Sequence, residues 1–138
     1  MDAKVTWKGD MTMVGSANTG FSVTMDSSVA NGGHDSGFRP TELIAIGSIG
    51  CSAMDVVSIL RKKKVNFTEF EVKVNVISAD EHPRVFKEMA IEYVVTGSGI
   101  ERKDVERAVQ LSEEKYCQGI AMMRKSTTIT STITIIEA

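Results

Sequence analysis

The chain carries two cysteines, Cys51 and Cys117, nearly half its length apart. Cys51 lies within the apolar run 41–57, and Cys117 closes a charged amphipathic run, 112–119. This separation rules out a zinc-type Cys-x-x-Cys pair. Two thiols on separate elements suit another chemistry. One thiolate attacks a peroxide oxygen and becomes a sulfenic acid, and the second condenses with it to form a disulfide. That requires the fold to bring the two Cα atoms within about 7 Å. The alternative is that both are small buried hydrophobes, since unpaired cysteine is among the most buried residue types. Spacing alone favours that second reading.

The neighbours of Cys51 divide in the same way. Asp55, four residues on, shares its helix face and disfavours a thiolate unless a cation offsets it. Arg39 is the nearest basic residue in sequence, while Lys115, Arg124 and Lys125 flank Cys117. Glu42, near the start of the apolar run, has the chemistry to orient an arginine, although acidic residues also belong there because of the helix dipole. Gly47 and Gly50 allow close approach of a ligand or a second helix. His34 and His82 fall in separate turn-like segments, so neither a metal nor a cofactor site is expected. A P-loop, a dinucleotide-binding glycine fingerprint, an EF-hand loop and a Ser-His-Asp order are all missing.

With 138 residues, 42% hydrophobic, 25% charged and a net charge of −2, the chain reads as one globular domain covering 1–138. The charge gives no case for nucleic acid or an anionic membrane as partner. No stretch is read as approaching the roughly 20 apolar residues of a membrane span, and the N-terminus lacks the apolar core of a signal peptide. A cytoplasmic location is therefore expected, where cysteine pairs that oxidise are transient and catalytic or redox-sensing.

Around the thiols, alternation and turn signals predict short strands at 5–7, 11–14 and 21–25, with Gly9-Asp10 as a hairpin turn. A glycine-rich mobile loop, 27–38, follows. Pro40 opens a helix over 41–63, apolar nearly all round and therefore buried. Strands near 71–76 and 88–95 form a hairpin about the turn 81–84. Ser98 and Glu101 have capping-box spacing for a helix that runs to Gly119. A short turn, 120–125, then leads to a last strand over 128–135. The order βββ-α-ββ-α-β gives an α+β fold with mainly antiparallel sheets and two central helices. A helix apolar on every face needs a second copy of the chain to cover it, so an intertwined homodimer is expected.

Several segments carry a resemblance: Arg39-Pro40-Thr41-Glu42-Leu43 through Gly50-Cys51-Ser52, Asp55-Val56-Val57-Ser58-Ile59-Leu60, Glu81-His82-Pro83-Arg84-Val85-Phe86, and Ser112-Glu113-Glu114-Lys115-Tyr116-Cys117. Taken in order, they resemble the OsmC/Ohr family of osmotically inducible and organic hydroperoxide resistance proteins, most nearly its YhfA-like branch. The resemblance implies an intertwined homodimer with active sites at its interface, reducing organic hydroperoxides at the expense of an external dithiol. It places Cys51 at the peroxidatic position and Cys117 at the resolving one; Glu42 and Arg39, read from their place beside the helix start rather than from the resemblance, are the expected orienting and activating groups. Two departures accompany it. The family draws its activating arginine from the N-terminal strand region, and here no arginine precedes Arg39. The family glutamate directly follows its proline, where this chain has Thr41. The alternative is a protein of the same fold that binds a small apolar or thiol ligand between subunits.

Overall fold

A computed structural model of the chain describes residues 1–138. The chain forms two compact units, 1–44 and 45–138.

The N-terminal unit is an antiparallel meander of β1 (Ala3–Trp7), β2 (Met13–Ala17) and β3 (Ser22–Met25). Trp7 pairs with Met13, so the first turn is a five-residue loop rather than the two-residue turn expected. Gly9 and Asp10 both have positive φ, and Trp7 Nε1 donates to the Asp10 carbonyl at 2.8 Å. Met11 and Thr12 are consumed by this loop, which moves the second strand two residues later than its alternation indicated.

The segment after β3 was expected to be mobile, yet it has a defined hydrogen-bond scheme centred on the buried Asp26. The Asp26 carboxylate accepts from the Ser27, His34 and Ser36 amides and, at 2.6 Å, from the Ser36 hydroxyl. Gly33 is required here, because a Cβ would meet the Ser27 carbonyl at 2.1 Å. The Ser36 hydroxyl above all, with the three amides, holds the Asp26 carboxyl far below the usual carboxylate range, against the opposing effect of burial. A depressed pKa stabilises the fold fully above the ordinary carboxylate value near about 4, and that contribution is lost as the pH falls toward the depressed one. Asp26→Ala should therefore abolish exchange protection of the Ser27, His34 and Ser36 amides at neutral pH. In the wild-type chain they should open only in strong acid.

The long helix α1 (Pro40–Lys62) starts with Pro40 in the first turn. Arg39 precedes it, and its amide donates to Glu42 Oε1 at 2.8 Å, the reciprocal half of a capping box. Arg61 and Lys62 meet the negative end of the helix dipole. The reading that no stretch approaches a membrane span needs correction. The most apolar 18 residues of this 23-residue helix have a mean hydropathy of 2.0, enough to cross a bilayer by length and composition. Serines and glycines interrupt the run without lowering its average below that level. Val56 and Leu60 nevertheless sit fully buried in the core of the C-terminal unit.

That unit contains a three-stranded sheet ordered β4 (Phe67–Ser78), β5 (Phe86–Gly97) and β6 (Thr128–Glu137). β5 is central, antiparallel to β4 and parallel to β6. The parallel pairing follows from the helical crossover between β5 and β6. Alternation puts Met89, Ile91, Tyr93 and Val95 of β5 on the buried face. Ile91, Tyr93 and Val95 share one core with Val56, Leu60, Val105, Ala108, Val109 and Ile120, each valine, leucine or isoleucine side chain contributing about 1.5–3 kcal/mol.

The crossover differs from the expected single helix. Glu101, expected inside the capping box, is itself the N-cap of α2 (Arg102–Leu111), and its side chain makes no capping bond. Ser98 lies just past the end of β5, its amide donating to the Asn66 carbonyl just before β4. After Leu111 the backbone widens into one i→i+5 turn, Ser112–Tyr116, closed by the Cys117 amide on the Ser112 carbonyl at 2.8 Å. Residues expected to form a turn make α3 (Gln118–Arg124), with Cys117 at its N-cap. Gly119 thus lies in the first turn of a helix and does not end one.

Candidate active site

The C-terminal unit brings the two cysteines together. The sulfurs of Cys51 and Cys117 and a carboxylate oxygen of Asp55 all lie within 4.8 Å of one another, and both thiols are free. α1 supplies Cys51 and Asp55, one turn apart on one face, both half-buried. The start of α3 supplies the buried Cys117.

Gly119 permits this approach. A Cβ there would meet Ser48 Cα at 3.0 Å and Cys51 Cβ at 3.4 Å, so α3 rests on α1 at backbone distance. The Cys117 sulfur accepts from the Ile120 amide at 3.3 Å, capping α3, and donates to the Ser48 carbonyl with sulfur and oxygen 3.8 Å apart. Burial pushes the Cys117 thiol up to about 11, and nearby Cys51 and Asp55 add to the rise, while the Ile120 amide opposes it.

A buried polar chain supports the cluster. The Ser112 hydroxyl donates to Asp55 Oδ2 at 3.1 Å and lies 2.9 Å from Ser52 Oγ, which is 2.7 Å from the Tyr93 hydroxyl. Tyr93 donates to Glu113 Oε1 at 3.0 Å, and Glu113 in turn accepts from Ser131 and pairs with Arg124 at 3.9 Å. Burial first, then the Glu113 carboxylate, pushes the Tyr93 hydroxyl well above its ordinary range despite its bond with Ser52. Tyr93 therefore stays protonated and can donate. Asp55 also lines a cavity of about 520 Å³, together with Ile59, Lys62, Leu111 and Tyr116.

Sequence reasoning named Cys51, Cys117 and Asp55 but missed Ser52, Tyr93, Ser112 and Glu113. Their one signal was a serine at position 112 on an otherwise apolar helix stripe. Arg39 and Glu42 belong to the N-terminal unit, where their described partners also lie. The Arg39 guanidinium pairs with Asp35 and donates to the Asp26 carbonyl at 3.4 Å. Glu42 caps the helix. Among the other candidates, Arg124 pairs with Glu113, and Lys115 lies 5.3 Å from the Tyr116 ring centroid. His34 pairs with Asp10 at 2.8 Å in an exposed position, and that hydrogen bond raises its pKa.

A family model described as OsmC-like protein matches residues 33–132, and the chain belongs to that family. Its α+β fold is the expected one. The chain is similar to protein YhfA of Escherichia coli strain K12, with 36% identity over 138 residues and full coverage of both chains. Among solved structures, a hypothetical protein from Aquifex aeolicus VF5 gives a TM-score of 0.87 at 27% identity, over 99% of this chain and 96% of that one. An organic hydroperoxide resistance protein OsmC from Legionella pneumophila shares the fold, with a TM-score of 0.69 at 16% identity over 96% of this chain and 95% of that one.

Proposed function

We propose that this chain is a thiol-dependent organic hydroperoxide reductase, acting in peroxide detoxification as a cytoplasmic homodimer. The observation that carries this reading is the meeting of two sequence-distant free thiols within 4.8 Å. The Cys51 thiolate attacks the peroxide, the alcohol leaves, and Cys51 becomes a sulfenic acid. Cys117 then attacks that sulfur, so that the disulfide forms and water departs with the Cys117 proton. An external dithiol reduces the disulfide. The division of roles follows from burial, since the half-buried thiol meets the substrate and the buried one waits behind it. Arg39 as activating group and Glu42 as orienting group belong to the same reading.

A second copy of the chain is supported by the outward face of α1. Met54 is 78% exposed there and Ile46 48%, and a Cβ on Gly47 or Gly50 would meet nothing within 4 Å. An apolar stripe of that kind on a helix needs a cover, and sedimentation equilibrium should return twice the chain mass.

Stoichiometric cumene hydroperoxide tests the chemistry. Both thiols of the reduced protein should disappear, with the roughly 2 Da mass decrease of an intramolecular disulfide. Two thiols left intact would sink the reading. The cavity beside Asp55, with Ile59, Leu111 and Tyr116 in its wall, favours one alternative, binding of a small apolar or thiol ligand without turnover.

A further inference from the structure

The placement of Asp55 is unfavourable for a site that only forms thiolates. Three acids, two thiols and a carboxylate, share one cluster, and no basic side chain forms an ion pair with Asp55. Arg124 is engaged by Glu113, and Lys62, which lines the same cavity as Asp55, makes no ion pair with it. The geometry points to a metal site: in the reduced protein, Cys51 Sγ, Cys117 Sγ and a carboxylate oxygen of Asp55 bind one zinc-type divalent cation, with a fourth position open.

The dimensions fit. Tetrahedral zinc with sulfur at about 2.3 Å and oxygen at about 2.0–2.2 Å places its ligand atoms roughly 3.5–3.8 Å apart. The three atoms here already lie within 4.8 Å of one another, so side-chain rotations of about 1 Å complete the site. Their supports differ and are firm. Cys51 and Asp55 stand one turn apart on α1, and Cys117 is fixed by its capping bond from Ile120.

A ligating carboxylate is normally held by a hydrogen bond from its surroundings. The Ser112 hydroxyl donates to Asp55 Oδ2, backed by Ser52 and the protonated Tyr93. The same chain leaves Asp55 with acceptor capacity to spare. A dication also reverses the local electrostatics, because the carboxylate that opposes two bare thiolates becomes their co-ligand. On binding, each thiol releases its proton to solvent. The cavity of about 520 Å³ lined by Asp55 gives a cation access to that carboxylate. Metal and disulfide exclude each other, since oxidation consumes two of the three ligands.

Anaerobic titration of the reduced full chain with Co²⁺ tests this without any peroxide. The expected result is one Co²⁺ per chain, with thiolate-to-cobalt charge transfer and intense tetrahedral ligand-field bands, displaced by Zn²⁺. Cys117→Ser should lose roughly half the charge-transfer intensity, and Asp55→Asn should weaken binding by about tenfold or more while keeping both thiolates. A reduced wild-type chain without charge transfer would overturn the assignment, as would affinity unchanged in Asp55→Asn. Peroxide-driven disulfide formation in a chain that ignores Co²⁺ would remove this inference and leave the reductase reading standing. Cobalt binding without peroxide reactivity would do the reverse.

Discussion

Cys51→Ser is expected to consume no organic hydroperoxide, whereas Cys117→Ser should consume about one equivalent rapidly and then stall. The asymmetry follows from burial and position. Cys51 is the half-buried thiol and takes the oxygen. Cys117 is buried, and its thiol stands at about 11, so it is a poor first nucleophile at neutral pH. Its value lies in proximity to the Cys51 sulfur. When an external thiol is supplied, its attack replaces the intramolecular condensation, and steady-state turnover should fall roughly tenfold or more. With excess peroxide the stranded sulfenic acid should advance to sulfinic acid, a gain of about 32 Da. Peroxide consumption by Cys51→Ser at the wild-type rate would refute the assignment.

The second large effect is steric and lies away from either sulfur. Gly119 has an ordinary helical φ, so a side chain there meets no backbone strain. It meets α1 instead, with the first added carbon at 3.0 Å from Ser48 Cα. Alanine requires that contact to give by a few tenths of an ångström. Gly119→Val adds two branches against backbone that cannot turn aside, and should lift the start of α3, carrying Cys117 with it. Overpacking of this kind costs about 1–3 kcal/mol. The sharper readout is chemical. After cumene hydroperoxide, intact mass should show oxygen added at Cys51, about 16 or 32 Da, in place of the disulfide. A normal yield of disulfide in Gly119→Val would mean that the close approach is not what couples the thiols.

The strands and the long helix were legible because their signals are local: Pro40 before an apolar run, alternation in β4 and β5, isoleucine against threonine in β6. The wide turn was not. Val105, Ala108, Val109, Ser112 and Tyr116 keep a helical stripe across the point where the backbone gains a residue per turn, so period alone predicts one uninterrupted helix. Gly119 then looks like a terminator, although its role is close packing on α1. The capping of α1 escaped for another reason. Arg39 offers no side-chain acceptor, and only the Glu42 half of the box is present. The meeting of Cys51 with Cys117 was readable as a requirement of the chemistry, but the hydroxyl chain through Ser52, Ser112 and Tyr93 is long-range. No spacing rule connects a strand tyrosine with serines on two helices.

The Cys117 sulfur closes the first turn of α3 by accepting the Ile120 amide. A disulfide with Cys51 is expected to draw the sulfur off that amide and leave the seven-residue helix without its cap. The backbone of α3 is in this sense a gauge of oxidation state. Exchange of the Ile120 amide should quicken when the pair is oxidised and slow again when a dithiol returns it.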